Sequence, residues 1–164
     1  ELVPGMTPVQ VVAQNLQNDN YPHTYSSAIV ATDNDEIVGM ALSYPSSFHR
    51  ITDEMRGFFP KDRMEHLRIF FSSRVENSWF LDALCVLKSH RRRGIGEKLI
   101  SFTKEKAFEN GFTALSLIVF ADNKLALPLY KRTGFAVVQK VELLENEFIK
   151  HKDDCFLMKC EINI

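Results

Sequence analysis

Arg91, Arg92, Arg93, Gly94, Ile95, Gly96 and Glu97 stand in succession between an apolar run, Trp79 to Leu87, and an amphipathic stretch that stops at Asn110-Gly111. That order reads as a strand, a polar turn and a helix N-terminus. The first turn of a helix has free backbone N–H groups and the positive end of the helix dipole, so phosphate or pyrophosphate oxygens can serve as the missing acceptors. Gly94 and Gly96 remove side chains that would keep such a ligand off the backbone. The planar guanidinium forks suit phosphate oxygens, although three consecutive side chains cannot all face one ligand. A short Gly-x-Gly also occurs at ordinary helix starts beside a solvated basic surface, so context has to decide.

The context is a strand-helix-strand unit. Trp79 to Leu87 is nearly continuous in apolar residues, which predicts a strand buried on both faces, with Asp82 the exception and Cys85 a small apolar member. The following helix carries Ile95, Leu99, Phe102, Thr103 and Ala107 on one stripe and ends at Asn110-Gly111. Phe112 to Phe120 is the next strand, expected to run parallel to the first. A helix from Asp122 or Asn123 to Arg132 follows, ended by Gly134, and Pro128 inside it is expected to kink it. Phe135 to Lys140 and Cys155 to Glu161 close the chain as strands, with a helix or loop around Glu142 to His151.

Upstream, Thr7-Pro8-Val9-Gln10 has a capping hydroxyl, Pro at the first helical position and Gln three residues after the cap. It predicts a helix through Val9, Val12, Ala13 and Leu16 to about Asn18-Asp19-Asn20. Tyr25 to Ala31 and Glu36 to Tyr44 read as an antiparallel hairpin across an Asp33-Asn34-Asp35 turn. Between residues 45 and 78 a helix from Lys61 to Ser72 is expected. There Phe58, Phe59, Phe70 and Phe71 are either core or the wall of a pocket.

At 164 residues with 45% hydrophobic content the chain fits one domain, and a net charge of −1 argues against a general nucleic-acid-binding field. The three cysteines form no C-x-x-C pair, and neither they nor the five histidines have ligand-like spacing, so a reduced cytoplasmic setting and no metal are expected. No apolar run reaches the ~18 residues of a membrane span, which predicts a soluble protein without a membrane partner.

With these elements in order, the chain resembles the GNAT superfamily of acyl-CoA-dependent N-acetyltransferases over nearly its whole length. The superfamily's Arg/Gln-x-x-Gly-x-Gly/Ala motif reads here as Arg91, Gly94 and Gly96. A second block, Asn-x-x-Ala-x-x-Leu-Tyr-x-x-x-Gly-Phe, reads as Asn123, Ala126, Leu129, Tyr130, Gly134 and Phe135. Two motifs at the expected separation are far more specific than either alone. The implied fold is mixed α/β in three layers: a mostly antiparallel sheet with a splayed central parallel pair, and flanking helices. Members begin with a strand and a helix ahead of the one at Thr7, and neither is visible here.

The resemblance implies acetyl transfer from acetyl-CoA to a primary amine of a small molecule or peptide. By it, the backbone of Leu84, Cys85 and Val86 would bind the acetyl and pantetheine groups at a bulge, and Arg91 to Glu97 would hold the pyrophosphate. Asn123 would contact the cofactor arm, and Tyr130 would sit near its sulfur as the acid for the leaving thiolate. Asn123 also reads as an N-cap, and Tyr130 as an aromatic packing a helix end. Asp82, an acid in a strand interior bordering the implied cleft, is either the base for the amine or an Asp paired to a neighbouring Arg or backbone group. The base glutamate some members carry on the later strand falls at Ile118. Homodimers are common in the superfamily. The rival reading is a noncatalytic acyl-CoA-binding sensor or interaction module.

Overall fold

The computed structural model describes residues 24–58, 61–142 and 154–163, with positions 7, 10, 13 and 22. Thr7 and Gln10 form the expected reciprocal cap: the Thr7 N–H donates to Gln10 Oε1 at 2.8 Å, and the Gln10 N–H donates to Thr7 Oγ1 at 3.3 Å. Val9, Val12 and Leu16 of that predicted helix lie outside the described residues, as do Phe59 and most of the 142–151 segment.

The described strands are β1 (Ala28–Asp33), β2 (Glu36–Pro45), β3 (Trp79–Val86), β4 (Ala114–Phe120), β5 (Ala136–Val141) and β6 (Cys155–Glu161). They form one sheet in the order β1-β2-β3-β4-β6-β5, antiparallel except for β3 against β4. The helices are α1 (Asp53–Phe58), α2 (Lys61–Ser72), α3 (Ile95–Glu109) and α4 (Ala126–Arg132). Asn34 and Asp35, at φ 50° and 65°, make the two-residue left-handed turn that matches the twist of a hairpin. Tyr25–Ser27 is a 3-10 turn rather than the start of β1. There Thr24 and its neighbouring serines bond to one another locally, which competes with the ladder.

Side-chain alternation divides two cores between the faces of the sheet. Leu115, Leu117 and Val119 of β4 and Met158 and Cys160 of β6 join Leu99, Ile100, Ala107 and Tyr130 on the face covered by α3 and α4. Ile118 and Phe120, with Cys155 and Leu157, meet Ile69 of α2 and Val75 on the other. Layers of helix, sheet and helix result. Ile100 takes the buried place expected for Phe102, which is exposed. Each buried Leu or Ile stabilises the fold by roughly 1.5–3 kcal/mol relative to exposure.

β3 departs from the expectation of burial on both faces. Trp79, Phe80 and Leu81 are buried, but Asp82 and Cys85 are exposed. Ser43 opposes Leu81 and Leu42 opposes Ala83, so Asp82 is the extra residue of a β-bulge. The bulge shifts the alternation by one, which is why Leu81, Leu84 and Val86 all reach the α3 core.

Candidate active site

β3 and β4 pair only at Trp79 with Leu115 and Phe80 with Ser116, whereas β3 stays with β2 as far as Val86. The parallel pair therefore forks, and the β4-facing edge of residues 81–86 has no strand partner. Leu84, Cys85 and Val86, the predicted backbone ligands, lie on that arm. The closed end is tied by hydroxyls: Ser78 Oγ donates to the Val75 carbonyl at 2.7 Å, so the Ser116 hydroxyl donates to Ser78 Oγ, also at 2.7 Å.

At the end of the β3 arm the chain makes a 3-10 turn over Lys88–His90 and enters α3 through two left-handed residues, Arg92 at φ 60° and Gly94 at φ 79°. Gly94 is the N-cap and supplies no side chain to the helix, whose first intrahelical bond is from Lys98 N–H to the Gly94 carbonyl at 3.0 Å. The N–H groups of Ile95, Gly96 and Glu97 are thus left without helical acceptors at the positive end of the dipole. A Cβ on Gly96 would lie 3.1 Å from Leu129 Cδ2, so its bareness allows α3 to approach α4.

The three arginines diverge. Arg91 Nε donates to the Val86 carbonyl at 3.0 Å and braces the turn. Arg92 occupies the left-handed bend. Arg93 lines a cleft of about 290 Å³ between β1 and α3, with Lys98 and with Asp33 and His90, whose Oδ2 and Nε2 are 3.4 Å apart. Glu97, an acid where an anion would sit, is held by Arg132 Nε of α4 at 2.6 Å.

Asn123 organises the entry to α4 from three positions upstream: its Oδ1 accepts the Ala126 N–H at 3.0 Å, while Leu125 is the residue at the N-cap. The helix starts at Ala126, later than expected, so Pro128 falls in the first turn, where free N–H groups are the rule. Tyr130 is buried, edge-on to Phe135 at 5.6 Å, and burial pushes its hydroxyl up to about 12.

Asp82 meets a partner that neither expectation named. Its carboxylate is exposed at the bulge and accepts a hydrogen bond from the buried Tyr44 hydroxyl. Burial first, then the Asp82 charge and that bond, raise the Tyr44 hydroxyl far above the ordinary phenol range. His49 lies behind them, fully buried and stacked on Phe80 at 4.1 Å. Burial lowers its imidazole below the usual range against the opposing Phe70 carbonyl and Asp82 charge. Sequence reasoning missed Tyr44 and His49. Their only local signals are a Tyr at a strand end and a His after Pro-Ser-Ser-Phe, and neither points across the sheet. Phe70 and Phe71 of α2 pack on this His, and Phe58's side chain lies outside the described residues.

The family model of the acetyltransferase (GNAT) family matches residues 6–135. The chain belongs to this family. GCN5-related N-acetyltransferase 6, chloroplastic, of Arabidopsis thaliana is 31% identical over 104 residues, covering 62% of this chain and 34% of the relative. The chain thus spans about a third of that relative's length. Among solved structures, an acetyltransferase 28% identical matches with a TM-score of 0.60 over 87% of this chain and 74% of its own. A Salmonella typhimurium acetyltransferase solved with its cofactor acetyl-CoA has the same fold, at 18% identity, a TM-score of 0.58 and coverage of 84% and 65%. The GNAT fold therefore accounts for the forked pair and for the turn that opens α3. Among the described residues, no helix is long and apolar enough to cross a membrane.

Proposed function

We propose that this GNAT chain moves an acetyl group from acetyl-CoA to a primary amine of a small molecule or peptide. The observation that carries the reading is the fork of β3 and β4 ending at an uncapped helix start. There the free N–H groups of Ile95, Gly96 and Glu97 suit a pyrophosphate, and the β3 edge at Leu84, Cys85 and Val86, without a strand partner on the β4 side, suits an amide-bearing arm. Arg92 adds charge at the bend, and Arg91 holds the turn in shape. Asn123 fixes the start of α4 beside the cofactor arm.

Acetyl-CoA supplies a thioester whose carbonyl is open to attack. The amine nitrogen forms a bond to that carbon, the C–S bond breaks, and the developing oxyanion is stabilised by a backbone N–H of the β3 arm in a dry cleft. A free amine is needed, since a lysine-like group with a pKa of ~10.4 is largely protonated at neutral pH. Asp82, exposed at the bulge and oriented by the Tyr44 hydroxyl, takes the proton that leaves the nitrogen. Tyr130 gives its hydroxyl proton to the departing sulfur and regains one from solvent. A hydroxyl held up to about 12 stays protonated throughout the working range, as an acid must.

Calorimetric titration with acetyl-CoA, CoA and desulfo-CoA, followed by thiol release across a panel of amines, tests the reading. Binding of all three with thiol release for some amines is expected. A folded protein that binds none of them sinks the cofactor assignment. Binding without transfer to any amine favours an acyl-CoA sensor instead.

A further inference from the structure

His49 has no place in the chemistry above, yet it is fully buried and touches two elements, β3 and α2. It follows β2 through the short 3-10 turn Ser46–Phe48. Its ring stacks on Phe80 of β3 at 4.1 Å, and it meets Phe70 and Phe71 of α2 at 5.3 and 5.1 Å. Its Nε2 lies 3.1 Å from the Phe70 carbonyl, which can only accept, so Nε2 carries the proton. That carbonyl belongs to the last turn of α2 and also accepts the Ser73 N–H at 3.2 Å. The imidazole adds a second donor to it from outside the helix, tying the helix end to the turn after β2. Nδ1 is left as a bare acceptor, buried and without a partner among the described residues.

We propose that His49 is a positioning residue of the acceptor side. Its neutral ring donates to the last turn of α2 and clamps that turn against β3, fixing the aromatic wall beside Asp82. The acceptor label rests on the reading of Asp82 given above. Asp82 itself is reached from the same side of β3: Phe80 sits between the His49 ring and Tyr44, whose hydroxyl bonds Asp82. The charged groups acting on the imidazole are Asp82 from β3, which favours its protonation, and Arg74 after α2, which opposes it. A proton on Nδ1 would be a second buried donor with no acceptor in place, which strains the clamp.

Two variants separate the roles. His49→Phe keeps a ring for the stack but leaves the Phe70 carbonyl with the Ser73 N–H alone. His49→Gln keeps an N–H donor but cannot titrate. Amide exchange of the 61–73 segment, read by mass spectrometry on the protein alone, is expected to rise about tenfold in His49→Phe and much less in His49→Gln. In the transfer assay the acceptor KM is expected to rise about tenfold in His49→Phe, with the acetyl-CoA Kd within about twofold of the parent. Unchanged exchange in a folded His49→Phe overturns the proposal, whatever the assay gives. So does a parallel loss of acetyl-CoA affinity, which would mean a general defect. If His49→Phe does not fold, the acid side decides: the acceptor KM of the parent is expected to climb below pH ~6.5 more steeply than that of His49→Gln, and identical profiles overturn the proposal. Should no amine be acetylated, the transfer reading falls, while the exchange experiment still judges the clamp.

Discussion

The two halves of the cleft are built differently. On the proposed reading the anion side, Arg91 to Glu97, would be one continuous segment, and its donors would be backbone N–H groups at a helix start set by a left-handed Gly94. The proposed acceptor side would gather Tyr44, His49, Phe70, Phe80 and Asp82 from four separate stretches of chain and would work through side chains. A backbone site is lost by adding something in its way. A side-chain site is lost by removing something, and its parts fail one at a time.

Gly94→Glu should break the anion side most severely. Bulk and charge at the pyrophosphate position, in a residue at φ 79°, should weaken acetyl-CoA binding at least about 100-fold by calorimetry. Gly94→Ala adds no charge and should cost about 1–2 kcal/mol of stability for the left-handed backbone, with a smaller loss of affinity. If the two variants bind equally poorly, backbone shape rather than the anion dominates this turn.

On the acceptor side, Asp82→Asn should lower kcat/KM by roughly 10²- to 10³-fold while sparing acetyl-CoA affinity, in line with the loss of one general base. Tyr130→Phe should lower kcat by about 10- to 100-fold, again without touching binding. If turnover by Tyr130→Phe is unchanged across pH, the acid lies elsewhere. The smallest effect is on stability. His49 is protonated more readily in the unfolded chain, near pH ~6.5, than in the fold, so its contribution is intact above that pH and declines as pH falls through the window beneath it. Urea melts at pH 7 and pH 5 should show that decline, and it should vanish in His49→Gln.

The same contrast governs how much could be read from the sequence. The bounds of α2 and β6, the hairpin, the parallel order of β3 and β4 and the turn at Gly94 are written in local patterns of residues. Two local readings failed where tertiary facts intervened. β3 looked buried throughout because nothing local announces that β4 leaves after Phe80 or that Asp82 is a bulge. Pro128 looked like a kink because the helix was expected to begin at Asp122 or Asn123, whereas α4 begins at Ala126 and leaves Pro128 in its first turn. The Tyr44–Asp82 bond and the His49 clamp were invisible for a simpler reason: their partners meet only across the sheet. Asp82 alone was conspicuous, as a carboxylate amid apolar neighbours.

The hydroxyl pair Ser78–Ser116 marks a pivot, and pivots have leverage. The β3 arm runs six residues beyond the last paired position, roughly 20 Å at ordinary strand rise, from a vertex fixed by two side-chain oxygens. That arm stays paired with β2 as far as Val86, so the opening of the fork there is set jointly by the β2 ladder and by the Ser78–Ser116 vertex. Substitutions at Ser78 or Ser116 should therefore act as a coarse adjustment of aperture.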